Sequence, residues 1–225
     1  RAAVDEYGLT NETVVILVSD HGDMLGRRGM VQKRVFYENS ARIALLAWIP
    51  PALRKSFPDV LSGHVVREPV SIVDLAPTIL ELAGVRSWLP MDGRSLLPLM
   101  CGSSEPDRHV FGENISEGVA TACLMVRQGR WKYTLIHPDE HQLFDMRTDP
   151  DERHNIADHP EHAQTVAHLR SLITDRFDLA TIDAEAQRQW EKRSLVRRSM
   201  EETGGPSWNY RPPMDVDTMY WRSEE

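Results

Sequence analysis

Thr13-Val14-Val15-Ile16-Leu17-Val18-Ser19-Asp20-His21-Gly22-Asp23 decides how this chain is read. The first half is a continuous run of β-branched and aliphatic residues, the pattern of a strand buried on both faces of a parallel sheet. The second half is abruptly polar. Asp20 and His21 stand side by side where the strand ends, a position with no packing reason for either. In open α/β sheets the carboxyl ends of the strands are where ligands bind. A carboxylate beside an imidazole can hold a divalent cation, which then acts as a Lewis acid on a phosphoryl or sulfuryl oxygen. The alternative is a capping Asp and a hydrogen-bonded loop His, and the spacing alone does not choose between them.

Outward from this point, residues 1–9 read as the end of a helix closed by Gly8. His21 to Glu38 is polar and punctuated by Gly22, Gly26 and Gly29, a long loop leaving the strand end. Ile43 to Ile49 reads as a second buried strand, stopped by Pro50-Pro51. Val70 to Gly84 contains a helix, with Pro77 in its first turn and Gly84 closing it. Strand, loop, strand and helix in this order predict the later part of a parallel α/β sheet.

The texture changes after Gly102-Ser103-Ser104. Thr121–Val126 and Trp131–Ile136 are predicted as a hairpin, with Gln142–Met146 as a further strand of a small antiparallel sheet over about 109–147. Pro160 to Glu202 is predicted helical, its apolar positions Val166, Leu169, Leu172, Ile173 and Phe177 at helical spacing, with a break at Ala180–Asp183. The organisation expected is an α/β core over 1–104, an antiparallel-sheet subdomain over 105–157, a helical segment over 158–205 and a Pro- and aromatic-rich tail over 206–225. Trp208, Tyr210, Tyr220 and Trp221 in that tail have no local periodicity to bury them, so a homo-oligomeric contact through the tail is expected.

The bulk numbers narrow the class. At 225 residues and 41% hydrophobic content the chain has material for a large core, and its net charge of −8 argues against a nucleic-acid partner. No apolar stretch approaches the length of a membrane span. Cys101 and Cys123 do not make a disulfide framework, so a reducing, cytoplasmic setting is expected. The chain begins with Arg1 and shows no signal peptide, and we expect it to be the C-terminal portion of a longer protein.

Four further residues carry candidate chemistry. Lys33, in the loop after His21, is either a point charge for an anionic oxygen or an exposed loop lysine. Glu113 and Glu117 flank Asn114-Ile115-Ser116, either as carboxylates for a cationic group or as an ordinary surface turn. Cys123 begins Cys123-Leu124-Met125-Val126-Arg127, which superficially matches the Cys-x-Pro-x-Arg signal for conversion to formylglycine. Its third position is Met and the segment reads as a strand, so Cys123 is expected to be a buried thiol.

Val18-Ser19-Asp20-His21-Gly22-Asp23-Met24-Leu25-Gly26 resembles the metal-binding strand and loop of type I sulfatases, in the alkaline-phosphatase-like superfamily. Four further blocks resemble that family in its order: Lys33 to Arg42, Val70 to Thr78, Asp92 to Leu99, and Gln142-Leu143-Phe144-Asp145 with Asp149-Pro150-Asp151-Glu152 and Asn155-Ile156-Ala157. Trp208-Asn209-Tyr210-Arg211-Pro212-Pro213, with Asp215 and Tyr220, is similar to the C-terminal extension of choline-sulfatases. The Asp-His pair also fits that branch and the phosphonate monoester hydrolases better than the Asp-Asn arylsulfatases.

The resemblance implies an alkaline-phosphatase-like parallel-sheet sandwich followed by a small antiparallel sheet, and hydrolysis of a sulfate monoester. Asp20 and His21 would ligate a divalent metal, usually calcium, with manganese or zinc open because of the imidazole. Lys33 would contact the sulfate oxygens as the catalytic cation of this segment. Glu113 would face a cationic substrate group, with Glu117 as competitor. The formylglycine nucleophile would come from the family's N-terminal half, which leaves this chain inactive alone. The loop departs from the family's pattern at Arg27-Arg28, Val31-Gln32 and Ala44.

Overall fold

A computed structural model describes residues 2–115, 119, 121–138 and 140–203. One compact unit runs to Asp183 and a second begins at Ala184. In the first, α1 (Ala2–Glu6) ends where Gly8 turns the chain in the left-handed conformation, as the sequence predicts. It leads into β1 (Val15–Val18), which stops immediately before Ser19 and Asp20. A short helix, α2 (Glu38–Ala41), follows the polar loop and feeds β2 (Leu45–Trp48).

The two strands pair with each other antiparallel, Val15 opposite Trp48 and Val18 opposite Leu45. The expectation of a central strand buried on both faces is therefore not met among the described residues. A two-stranded ribbon has no sheet around it to cover its faces, and Leu17, Val18 and Leu46 remain exposed. The apolar run recorded the chemistry of a sheet interior, and that chemistry does not reveal the direction of the neighbouring strand.

A helical turn at Ile72–Asp74 leads into α3 (Leu75–Leu82), with Pro77 early in the helix and Gly84 beyond its end at φ 68°. Buried Asp74 organises this region. Its carboxylate accepts the backbone N–H groups of Ser71 at 2.9 Å and Arg94 at 2.8 Å, and it pairs with buried Arg108 at 2.8 Å. Thr78 Oγ1 donates to the Asp74 carbonyl and accepts the Leu96 N–H, at 2.6 and 2.8 Å. Gly93 sits so close that a Cβ would lie 2.0 Å from the Val73 carbonyl oxygen. Two of the sequence blocks, 70–78 and 92–99, are thus halves of one polar junction, and α4 (Leu97–Met100) continues from it.

The four-stranded sheet is the best-packed part. β3 (His109–Asn114), β4 (Cys123–Gln128), β5 (Trp131–Ile136) and β6 (Glu140–Asp145) form an antiparallel meander in chain order. The predicted hairpin is β4–β5, with Gln128 opposite Trp131 and Gly129 at φ 50° in the two-residue turn. One face packs on α5 (Ala163–Thr174), and Leu124, Val126, Tyr133, Leu135, Leu143, Leu169 and Ile173 form the core between them. Burial pushes the Cys123 thiol pKa up to about 11.

α6 (Leu179–Glu202) follows after a break at residues 175–178. The break lies earlier than the predicted Ala180–Asp183, which is helical. Asp178 sets it, since its carboxylate accepts the Thr181 backbone N–H at 3.1 Å and the Thr181 hydroxyl at 2.7 Å, closing the N-terminus of α6. None of the α6 residues is buried. Among the described residues no helix is long and apolar enough to cross a membrane. The tail over 206–225, and with it the expected oligomeric contact, lies outside the described residues, as does Glu117.

Candidate functional site

Asp20 lies two residues past the end of β1, exposed. One carboxylate oxygen accepts the His21 backbone N–H at 2.9 Å, and the other lies 3.2 Å from His21 Nε2. His21 Nδ1 donates to the Gly22 carbonyl at 2.7 Å, which turns Nε2 toward Asp20 and Lys33. Lys33 Nζ approaches that nitrogen at 2.8 Å. The fold thus brings Asp20, His21 and Lys33 together from either side of an eleven-residue excursion, residues 22–32.

Backbone proximity fixes this corner. The Gly22 N–H donates to the Ser40 carbonyl at 2.8 Å, and a Cβ on Gly22 would fall 2.1 Å from the Asn39 carbonyl oxygen. Only glycine lets the strand end lie against α2. Asp23 braces the loop by accepting the Leu25 N–H at 2.8 Å.

The three side chains open onto a groove of about 1370 Å³. Glu113 of β3 is exposed on its wall, opposite Leu124 in the strand ladder. Arg127 and Lys132 line it as well. Burial lowers the Arg127 pKa, while Glu38 and Glu152 nearby act to raise it.

Reading residue types along the sequence misses the groups that hold the loop. Buried Lys132 pairs with Glu38 at 2.9 Å and with buried Glu152 at 2.8 Å. Glu152 also accepts the Glu38 backbone N–H at 2.6 Å. The Arg28 guanidinium stacks on Tyr37 at 4.1 Å and donates to the carbonyls of Asp151 and Glu152. Phe36 rests on Gly112, where a Cβ would come within 2.6 Å of its ring. The signal available in the sequence was a lysine as the one charged residue of a strand, Trp131–Ile136, which demands partners when buried.

The donor set for a metal is partial. Asp20 offers a hard oxygen and His21 an oriented ring nitrogen, and among the described residues no group of three His, Cys, Asp or Glu side chains could enclose an ion. The pair suits part of a coordination shell.

Residues 26–178 match the family model described as N-sulphoglucosamine sulphohydrolase, C-terminal. The chain belongs to this sulfohydrolase family. It is 31% identical to the choline-sulfatase of Rhizobium meliloti (strain 1021), over 96% of this chain and 41% of that protein. It is 34% identical to arylsulfatase K of Rattus norvegicus, over 76% of this chain and 31% of that protein. The chain therefore spans less than half the length of the curated relatives it matches. Among solved structures it is similar to the phosphonate monoester hydrolase of Silicibacter pomeroyi, with a TM-score of 0.64 and 29% identity, over 78% of this chain and 37% of that one. These sulfohydrolase relatives carry the alkaline-phosphatase-like fold expected from the sequence.

Proposed function

We propose that the protein carrying this chain is a choline-sulfatase-like hydrolase of sulfate monoesters. The observation that carries the reading is the convergence of Lys33, His21 and Asp20 on one groove, with Lys33 Nζ 2.8 Å from His21 Nε2. Asp20 and His21 hold part of a divalent metal's shell, calcium foremost, and the remaining ligands come from outside this chain. When bound, the metal supplies Lewis-acid polarisation of the sulfate. Lys33 donates hydrogen bonds to sulfate oxygens and stabilises the charge that builds as the S–O bond to the leaving group lengthens. The Nδ1 hydrogen bond of His21 keeps its ring in the tautomer that presents a lone pair. Glu113 faces the cationic end of the substrate across the groove. The nucleophile, a formylglycine, belongs to the part of the protein outside these residues, so residues 1–225 alone release no sulfate.

Reach along the chain supports the choline-sulfatase branch. The match to the Rhizobium meliloti enzyme takes in 96% of this chain and so extends through Trp208–Pro213, whereas the match to arylsulfatase K takes in 76%. The phosphonate monoester hydrolase neighbour supports a second reading, hydrolysis of a phosphonate or phosphate ester in the same groove. Sulfate and methylphosphonate release by the full-length protein, from choline-O-sulfate, an aryl sulfate and a phosphonate monoester, separates the two. Preference for choline-O-sulfate, lost on Glu113→Gln, supports the proposal. Failure to release sulfate from any ester removes it.

A further inference from the structure

The segment that carries Lys33 is held in a conformation its own residues do not favour. Gln32 has φ 71° and Arg34 has φ 102°, so Lys33 sits between two side-chain-bearing residues in the left-handed half of backbone space. Such residues persist there only where their surroundings impose it. For Gln32 the restraint is its carbonyl, which accepts the Met24 N–H at 2.9 Å. For Arg34 one restraint is the side chain of Asn114, at the end of β3, whose Nδ2 donates to the Arg34 carbonyl at 2.9 Å. The same strand seats Phe36 on Gly112 two residues earlier. β3 thus grips the segment on both sides of Val35, and β3 is itself paired along its length with β4, Asn114 opposite Cys123.

We propose that Asn114 is a positioning residue. Its amide fixes the Arg34 peptide and thereby aims Lys33 at His21 and the groove. Without the donor, Arg34 relaxes toward negative φ. The Lys33 backbone then rotates, and its ammonium leaves the point 2.8 Å from His21 Nε2. The inference rests on the proposed contact of Lys33 with sulfate only for its kinetic consequence. The restraint itself is independent of that reading.

The test uses the full-length protein in five forms: wild type, Asn114→Ala, Asn114→Asp, Arg34→Gly and the double variant Asn114→Ala/Arg34→Gly. Asp has the shape of Asn but cannot donate to a carbonyl. Glycine reaches positive φ without steric cost. We expect Asn114→Ala and Asn114→Asp to lower kcat for choline-O-sulfate by about 10²-fold with KM held, the size of effect a misplaced catalytic group produces. Limited trypsin digestion, followed by mass spectrometry, should cut after Lys33 faster in both variants than in wild type. The penalty of Asn114→Ala should shrink in the Arg34→Gly background, an interaction that general destabilisation would not produce. Equal penalties in the two backgrounds, unchanged cleavage after Lys33, or a loss confined to KM would each overturn the proposal. If wild type releases no sulfate, the sulfatase reading falls. Faster cleavage in Asn114→Ala then still supports the restraint, and equal cleavage still refutes it.

Discussion

The two sheets of the first unit contrast in how they treat similar residues. In β1–β2 the aliphatic side chains Leu17 and Leu46 are 58% and 61% exposed, while in β5 a lysine, Lys132, is 2% exposed. The first sheet has only two strands among the described residues, and its apolar side chains at Leu17, Val18 and Leu46 stay exposed. The second has four strands and α5 across one face, enough to bury even a charge once Glu38 and Glu152 are supplied. The candidate site stands on the end of the poorly covered sheet and is held in place by the well-covered one. Precision at Lys33 is thus imported from β3–β6 through the Glu38–Lys132–Glu152 bridge, Phe36 and Asn114.

The contrast breaks most sharply at the buried charges. Glu152→Ala leaves Lys132 with one carboxylate and frees the Glu38 N–H, and removing one partner of a buried ion pair costs about 3–5 kcal/mol. Urea unfolding of the described unit should show that loss, and Lys132→Met with Glu152→Gln and Glu38→Gln together should recover most of it. Next comes the core itself. Leu143→Ala, at a fully buried position of β6, should cost about 2–5 kcal/mol, whereas Leu46→Ala on β2 should change stability by about 0.5 kcal/mol or less in this chain. Similar losses at the two leucines would mean that β1–β2 is covered after all. Lys33→Ala should leave the unfolding midpoint unchanged and reduce kcat of the full-length protein about 10²–10³-fold, as for loss of one donor to a developing negative charge.

How much of this was legible in the sequence follows the same division. The β4–β5 hairpin, α3 and the apolar stripe of α5 were readable because each has a local cause: a two-residue turn with Gly129, Pro77 and Gly84 at the helix ends, and Leu169 and Ile173 one turn apart. Asp20 and His21 were readable as candidates because polar groups at a strand end have no packing reason to be there, and Lys33 because it is a cation in the loop that follows them. The direction of β1 against β2 was not, because a hydrophobic run reports burial and says nothing of its neighbour's polarity. Asn114 and Glu152 were not readable as loop anchors either. Their partners, Arg34 and Glu38, lie 80 and 114 residues away, and an Asn at a turn or a Glu in Asp149–Glu152 looks locally like surface. The break before α6 was misplaced because the capping role of Asp178 competes with Asp183, which instead pairs with His137 and accepts the Ala122 N–H.

The smallest effect probes the well-packed sheet through a group that does no chemistry. Cys123 loses its proton near the ordinary thiol value of 9.0 when the chain is unfolded, and at about 11 when folded, because burial disfavours the thiolate. The folded state therefore binds this proton more tightly. The stability that follows is fully present below pH 9, and it is lost as the pH rises from there toward the folded value. Wild type and Cys123→Ala should accordingly converge in their pH dependence below pH 9 and separate above it, with wild type falling faster when unfolding is followed from pH 8 to pH 10.5. Thiol labelling in the folded state at pH 8 should reach half-buried Cys101 well before Cys123. Parallel stability profiles, or equal labelling rates, would show that the β4 end of the sheet opens to water as readily as β1–β2, and the contrast between the two sheets would then be one of hydrophobic content without a difference in packing.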